Sequence, residues 1–274
     1  MDVLVDADWL ADHRAGVVVA DVRWYLDGRD GRAAYDAGHI PGAVFVDLDD
    51  DLSAPPDDPT EGRHPLPTPE QFAAAMTRLG IGGDDVVVAY DDSGGGTAGR
   101  LVWMLRVTGH AAVLLDGGLR AWPGALETGP APVRSPAAFE PRPWPADALA
   151  DADEAATAAR TGAALDARSH ERFRGDSDAI DPRPGHIPGA RSAHWTANLD
   201  PATGRFLAPE ALRARFEALG VRPDAPLVAY CGSGVSACAN LAALERAGFT
   251  GARLYVASWS GWSADPDRPA ATGD

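Results

Sequence analysis

The sequence predicts an α/β protein of two tandem domains, each built on a mostly parallel sheet flanked by helices. Three observations carry that prediction. The chain repeats itself once, short buried-type strands alternate with helical stretches in both halves, and 274 residues suffice for two cores of ordinary size. The repetition is explicit. "GHIPGA" stands at 38–43 and again at 185–190, a separation of 185 − 38 = 147. "ADVR" (20–23) is echoed by "LDAR" (165–168), with Asp21 and Asp166 lying 166 − 21 = 145 apart. "VVAY" (87–90) matches "LVAY" (227–230), and "LLDGGLRAW" (114–122) matches "LYVASWSGW" (254–262), both at an offset of 140. Four ordered matches at nearly one offset indicate a duplicated domain, and repeats so long and so few exclude a solenoid.

Each half follows the same order of elements. An apolar run ("GVVVADVR", "GAALDAR") ends in polar residues, as suits a buried parallel strand whose C-terminal end faces a site. "GHIPGA" follows as a turn forced by proline and glycine. Then come helices opening on Pro-Glu and closing on Gly, "PEQFAAAMTRLG" and "PEALRARFEALG". A second strand ("DDVVVAY", "APLVAY") leads into a loop of small residues and a second helix ("AGRLVWMLRVTG", "ACANLAALERAG"). A last strand precedes a Trp-containing segment. These elements place the domains at 1–128 and 147–274, joined by a Pro- and Ala-rich linker at 129–146.

Composition narrows the function classes. The formal net charge is −16 and every Lys+Arg position is arginine, which argues against nucleic acid or an anionic membrane as partner. No apolar run approaches the roughly 20 residues of a membrane span. The acidic start "MDVLVDADWLADH" lacks the basic and apolar stretches of a signal peptide, so a cytoplasmic protein is expected. The two cysteines, Cys231 and Cys238, form neither a disulfide framework nor a metal site. On a helix they would stand about two turns apart, too far for a bridge. Cys238, inside "ACANLAAL", reads as core filling.

Cys231 reads differently. It follows "LVAY" directly, at the strand end where ligands bind in such folds. Gly232 and Gly234 permit a tight curl whose N–H groups form an anion nest, and a helix begins near Ser236. Nest and helix N-terminus both favour the thiolate, the nucleophilic form. The plainer reading is a tight turn with a buried thiol. Cysteine phosphatases use such a loop with an arginine six positions after the cysteine, but that position is Ala237 here. Transfer of one sulfur atom through a cysteine persulfide needs only the nest. In the first half the equivalent stretch is "VVAYDDSGGGTAG", with Asp91 in the cysteine's place. That half is therefore expected to be catalytically silent. With no lysine and two aspartates, its glycine-rich loop does not suit a phosphate.

"CGSGVSA" (231–237), the doubled "GHIPGA" and the order of segments resemble the rhodanese family of two-domain sulfurtransferases, over almost the whole chain. Cys-Gly-Ser-Gly is the form of its mercaptopyruvate branch, whereas thiosulfate-preferring members carry Cys-Arg-Lys-Gly. The resemblance implies two tandem rhodanese-like domains and a catalytic set of Cys231, Ser233, Asp49 and His64, with Asp47 as the neighbouring alternative to Asp49. It also implies substrate contacts from Gly232, Gly234, Val235 and Ser236 in the loop, from Arg172 in "RFRG", and from Arg183 in "DPRPGHIPG". Either arginine could instead be a solvated surface cation. Asp49 and His64 could equally be hydrogen bonds between domains, and either way the first domain would contribute a wall of the site.

Two departures from the family stand out. Val235-Ser236 replaces Val-Thr, with a hydroxyl still available to cap the helix. "SWSGW" (258–262) carries Gly261 where the family has glutamate. The resulting expectation is a sulfurtransferase taking sulfur from 3-mercaptopyruvate through a persulfide on Cys231 to a thiol such as thioredoxin, or to cyanide. No cofactor or metal, no nucleic acid and no membrane is expected to take part. The alternatives are thiosulfate as donor, or a persulfide carrier that binds a protein partner without turnover.

Overall fold

A computed structural model describes residues 2–130, 134–177, 180–223 and 225–274. Residue 1 of the first expected domain, linker residues 131–133, and residues 178, 179 and 224 of the second lie outside the described residues.

Two five-stranded sheets form, one from each half. The first contains β1 (Leu4–Val5), β2 (Val17–Asp21), β3 (Val44–Phe45), β4 (Val86–Tyr90) and β5 (Ala112–Leu115), in the order β1-β5-β4-β2-β3. The second contains β6 (Leu149–Ala150), β7 (Ala164–Asp166), β8 (Arg191–Ser192), β9 (Leu227–Tyr230) and β10 (Ala252–Tyr255), in the matching order β6-β10-β9-β7-β8. Every pairing in both sheets is parallel among the described residues. Central strands carry continuous apolar runs because helices cover both faces. Val87, Val88, Ala89 and Tyr90, like Leu227, Val228, Ala229 and Tyr230, are all buried. Among the described residues, no helix is long and apolar enough to cross a membrane.

The repeated motifs have one structural explanation. Asp21 pairs in register with Tyr90, and Asp166 with Tyr230, at the C-terminal ends of the central strands. Arg23 grips Asp21 through Nε and Nη2 (3.0 and 2.7 Å) and donates from Nη2 to Gly38 O at 2.8 Å. Arg168 repeats this on Asp166 (3.0 and 2.6 Å) and on Gly185 O (2.6 Å). The Tyr90 and Tyr230 hydroxyls accept from Ile40 N and Ile187 N. The Asp-x-Arg pair and the tyrosine thus fasten each "GHIPGA" turn above its sheet. The histidines of those turns belong to the same framework. His39 Nδ1 meets Tyr35 O at 2.9 Å, and His186 Nδ1 meets Phe173 O at 2.8 Å, each ring stacked on an aromatic neighbour.

Helix starts largely follow the sequence. Thr68 and Gln71 form a capping box on the helix Pro69–Arg78, whereas Pro209–Ala218 opens at Ala208 with no side-chain cap. Neither compact unit is one continuous stretch of chain. The first comprises 1–54, 67–144 and 199–206; the second comprises 55–66, 145–198 and 207–274. Each unit thus includes a short segment from the other half of the sequence. Within the first, Phe206 N donates to Asp116 Oδ1 at 2.7 Å and Arg120 Nη2 to Ala202 O at 2.8 Å.

Candidate active site

β9 ends at Tyr230, the loop runs from Cys231 to Ser236, and the following helix is Ala237–Arg246. Its start is not capped as the sequence suggests. Ser236 holds the N-cap position, but its backbone is already helical and its hydroxyl makes no cap hydrogen bond. Cys231 is 2% exposed. The helix Ser258–Ala264 fixes the loop, because Trp259 N donates to Cys231 O at 2.9 Å and Ser260 N donates to Gly232 O at 2.8 Å. A trans peptide plane points its N–H opposite to its carbonyl. The N–H groups of Gly232 and Ser233 therefore face away from that helix. Cys231 N is held by Ser258 Oγ at 3.1 Å, and that hydroxyl donates in turn to Tyr255 O at 2.8 Å. Ser258 adopts φ 53, a strained value for a residue with a side chain, at the point where it supports the nucleophile's backbone.

The two loop glycines do different jobs. Gly234 has φ +75, and a Cβ there would lie 2.5 Å from Val256 O, so the curl requires glycine. Gly232 has no such backbone need. A Cβ on it would lie 2.9 Å from Arg63 Nη2 and 3.5 Å from both Nη atoms of Arg172. Gly232 leaves room for cations, where the sequence alone suggests only a tight turn.

The corresponding loop of the first unit shows what this geometry holds. There the Asp91 carboxylate accepts four backbone N–H groups, from Ser93 (2.9 Å), Gly95 (2.8 Å), Thr97 (2.9 Å) and Ala98 (2.9 Å). An anion built into the chain fills that nest. Cys231 directly follows the equivalent strand of the second unit, β9.

Segment 55–66 brings two further groups to the second unit. His64 Nδ1 lies 2.7 Å from Ser233 Oγ, and both residues are buried. Arg63 N donates to Ser260 Oγ at 3.1 Å, and its guanidinium donates to Asp181 Oδ1. Arg172, on the helix His170–Arg174, donates from Nη2 to Asp181 Oδ2 at 2.6 Å. Gly261 explains how the segment fits. A Cβ there would fall 2.4 Å from Thr60 O and 3.1 Å from Gly62 N, so the glycine in place of the family's glutamate is where this chain passes.

The remaining expected site residues have described partners of their own. Arg183 donates to four backbone carbonyls: Nε to Ser263 O, Nη1 to Arg268 O, and Nη2 to Trp262 O and Asp265 O. It clamps the end of the helix Ser258–Ala264, and the second guanidinium near the loop is that of Arg63. Asp49 belongs to the first unit, where its Oδ2 accepts from Trp24 Nε1 at 3.0 Å. Asp47 caps the short helix Leu48–Asp51. Val235 is 6% exposed, and its carbonyl accepts from Cys238 N at 3.0 Å. Cys238 is buried, with its thiol 3.4 Å from Gly234 O. Arg63, Asp181 and Ser258 were not legible as site residues. The one available hint was the missing glutamate at Gly261.

Known proteins resemble this chain over most of its length. A family model described as "Rhodanese-like domain" matches residues 6–125 and 147–265. A Pseudomonas aeruginosa protein named a probable 3-mercaptopyruvate sulfurtransferase is 48% identical, over 94% of this chain and 93% of its own. An Arabidopsis thaliana protein named thiosulfate/3-mercaptopyruvate sulfurtransferase 2 is 34% identical, over 97% and 85%. Among solved structures, 3-mercaptopyruvate sulfurtransferase from Leishmania major superposes with a TM-score of 0.84 at 32% identity, covering 94% of this chain and 73% of its own.

Proposed function

This chain belongs to the rhodanese family, and from that premise we propose that it is a sulfurtransferase using 3-mercaptopyruvate as donor and Cys231 as the sulfur-carrying nucleophile. The observation that carries the reading is the position of Cys231. It stands where the twin loop closes four N–H groups on the Asp91 carboxylate, so a thiolate or persulfide at Cys231 would meet a surround built for an anion. Two guanidiniums beside Gly232 suit the donor's carboxylate.

In the first half-reaction the Cys231 thiolate attacks the donor sulfur. An S–S bond forms while the donor's C–S bond breaks, its electron pair passing to carbon as the enolate of pyruvate. The proton lost from the donor thiol ends on that carbon, giving pyruvate and the Cys231 persulfide anion. The pair Ser233 and His64, 2.7 Å apart, is the proposed relay for it. In the second half-reaction a thiol such as thioredoxin, or cyanide, attacks the outer sulfur and restores the thiolate. The products are the acceptor's persulfide or thiocyanate. Asp49 enters this scheme only as the residue that the family pattern pairs with His64.

A second reading takes thiosulfate as donor, favoured by the relative named for both donors. The test of the shared chemistry is direct. Cys231→Ser should abolish turnover, Cys238→Ser should retain it, and initial rates should follow ping-pong kinetics. Loss of turnover in Cys238→Ser alone would overturn the assignment. A Cys231 adduct one sulfur atom heavier, formed without turnover on any free acceptor, would indicate a carrier.

A further inference from the structure

Asp181 has no place in the scheme above, yet both its oxygens are committed beside the sulfur loop. Its carboxylate is fully buried, with Oδ1 receiving Arg63 and Oδ2 receiving Arg172. The two arginines are less enclosed, with side chains 30% and 16% exposed, and their Nη atoms reach the space beside Gly232. Whatever else surrounds them, the Asp181 carboxylate offsets part of the positive field that Arg63 and Arg172 present beside Gly232.

That offset distinguishes donors. A carboxylate donor carrying its sulfur as a neutral thiol brings one negative charge, and a dianionic sulfur oxyanion brings two. The negative charge of Asp181 therefore repels the dianion about twice as strongly as the monoanion. We propose that Asp181 sets donor selectivity: by holding Arg63 and Arg172 together and offsetting part of their positive field, it makes the site prefer a monoanionic carboxylate donor over a dianionic one. Arg63 is then the second donor cation, delivered by segment 55–66 through the gap at Gly261. The inference rests on the reading of Cys231 as the sulfur-accepting nucleophile.

The test compares kcat/KM for mercaptopyruvate and thiosulfate in the full-length wild type, Asp181→Asn and Arg63→Gln. Removing the negative charge in Asp181→Asn should raise the thiosulfate-to-mercaptopyruvate ratio by about tenfold. Removing a positive charge in Arg63→Gln should lower that ratio. It should also weaken mercaptopyruvate use by about tenfold, chiefly through KM. A purely structural role would move both donors together, so the opposite movement of the ratio is the decisive readout. A ratio that stays fixed, or shifts the same way in both variants, overturns the proposal. If Asp181→Asn fails to fold, the partly exposed Arg63 carries the test alone, and an unchanged ratio in Arg63→Gln has the same force. A wild type that uses neither donor, or an active Cys231→Ser, would sink the persulfide reading itself. Wild-type turnover with an unmoved ratio would sink only the selectivity inference.

Discussion

Asp91 and Cys231 follow equivalent strand ends, and on the function proposed above the difference between them separates a structural loop from a reactive one. The carboxylate of Asp91 is part of the chain and satisfied by four backbone N–H groups, so the first loop needs no ligand to complete it. On that reading, Cys231 in the second loop accepts and releases a sulfur atom without breaking the fold. The Asp91 cluster therefore works as a stabilising element. Asp91→Ala would leave its N–H donors without their acceptor in a buried loop, at a cost of about 3 kcal/mol. Urea or thermal unfolding should register that loss as a lower midpoint. A midpoint within error of wild type would mean that water replaces the carboxylate without penalty.

At the scale of elements, the short helix Ser258–Ala264 organises the site. Its first turn binds the carbonyls of Cys231 and Gly232, Ser258 supports Cys231 N, and Arg183 holds its far end through four carbonyls. Arg183 is thus a positioning residue. Arg183→Gln should lower the melting temperature, at a cost of about 2 kcal/mol, through loss of charge-assisted hydrogen bonds. The KM for mercaptopyruvate should stay within about twofold of wild type. A large rise in that KM with no loss of stability would return Arg183 to the donor site. Much of this level was legible in advance. The two parallel sheets and the strand–loop–helix sequence in each half followed from two-fold sequence repetition, because the repeated Asp-x-Arg, "GHIPGA" and tyrosine segments bond to one another. The place of Arg183 was not legible, since its partners are backbone carbonyls about 80 residues away that any sequence could supply. Arg63 was hidden for a related reason. Its proximity to Gly232 depends on an absent side chain at Gly261, and absences leave a pattern only when compared with the family's glutamate.

For the whole molecule, the exchange of segments means that a cut in the linker would not yield two complete units. Residues 55–66, with Arg63 and His64, would be separated from the Cys231 loop, and residues 199–206 from the first unit. Both units also bury a histidine whose ionisation is resisted by the surrounding core. His110 is held below its ordinary range by desolvation, with Nδ1 at Gly83 O (3.0 Å) and Nε2 buried without a partner among the described residues. His186 is lowered in the same way, stacked on Phe173 with Nδ1 at Phe173 O. An unfolded histidine titrates near 6.5, so below that pH the unfolded chain binds protons that the folded chain refuses. Stability contributed by the two neutral rings is complete above about pH 6.5 and is lost as pH falls through their lower folded values. Asp21 and Asp51 act in the opposite sense, because burial raises their carboxyls and acidification relieves that penalty in a window that opens upward from about 3.8. The melting temperature should therefore fall between about pH 7.5 and about pH 5.5, and the slope should flatten in a His110→Asn, His186→Asn double variant, where asparagine can keep the Nδ1-type donor. Thermal melts across that range check it, and an equal slope in wild type and double variant would assign the acid sensitivity to other groups.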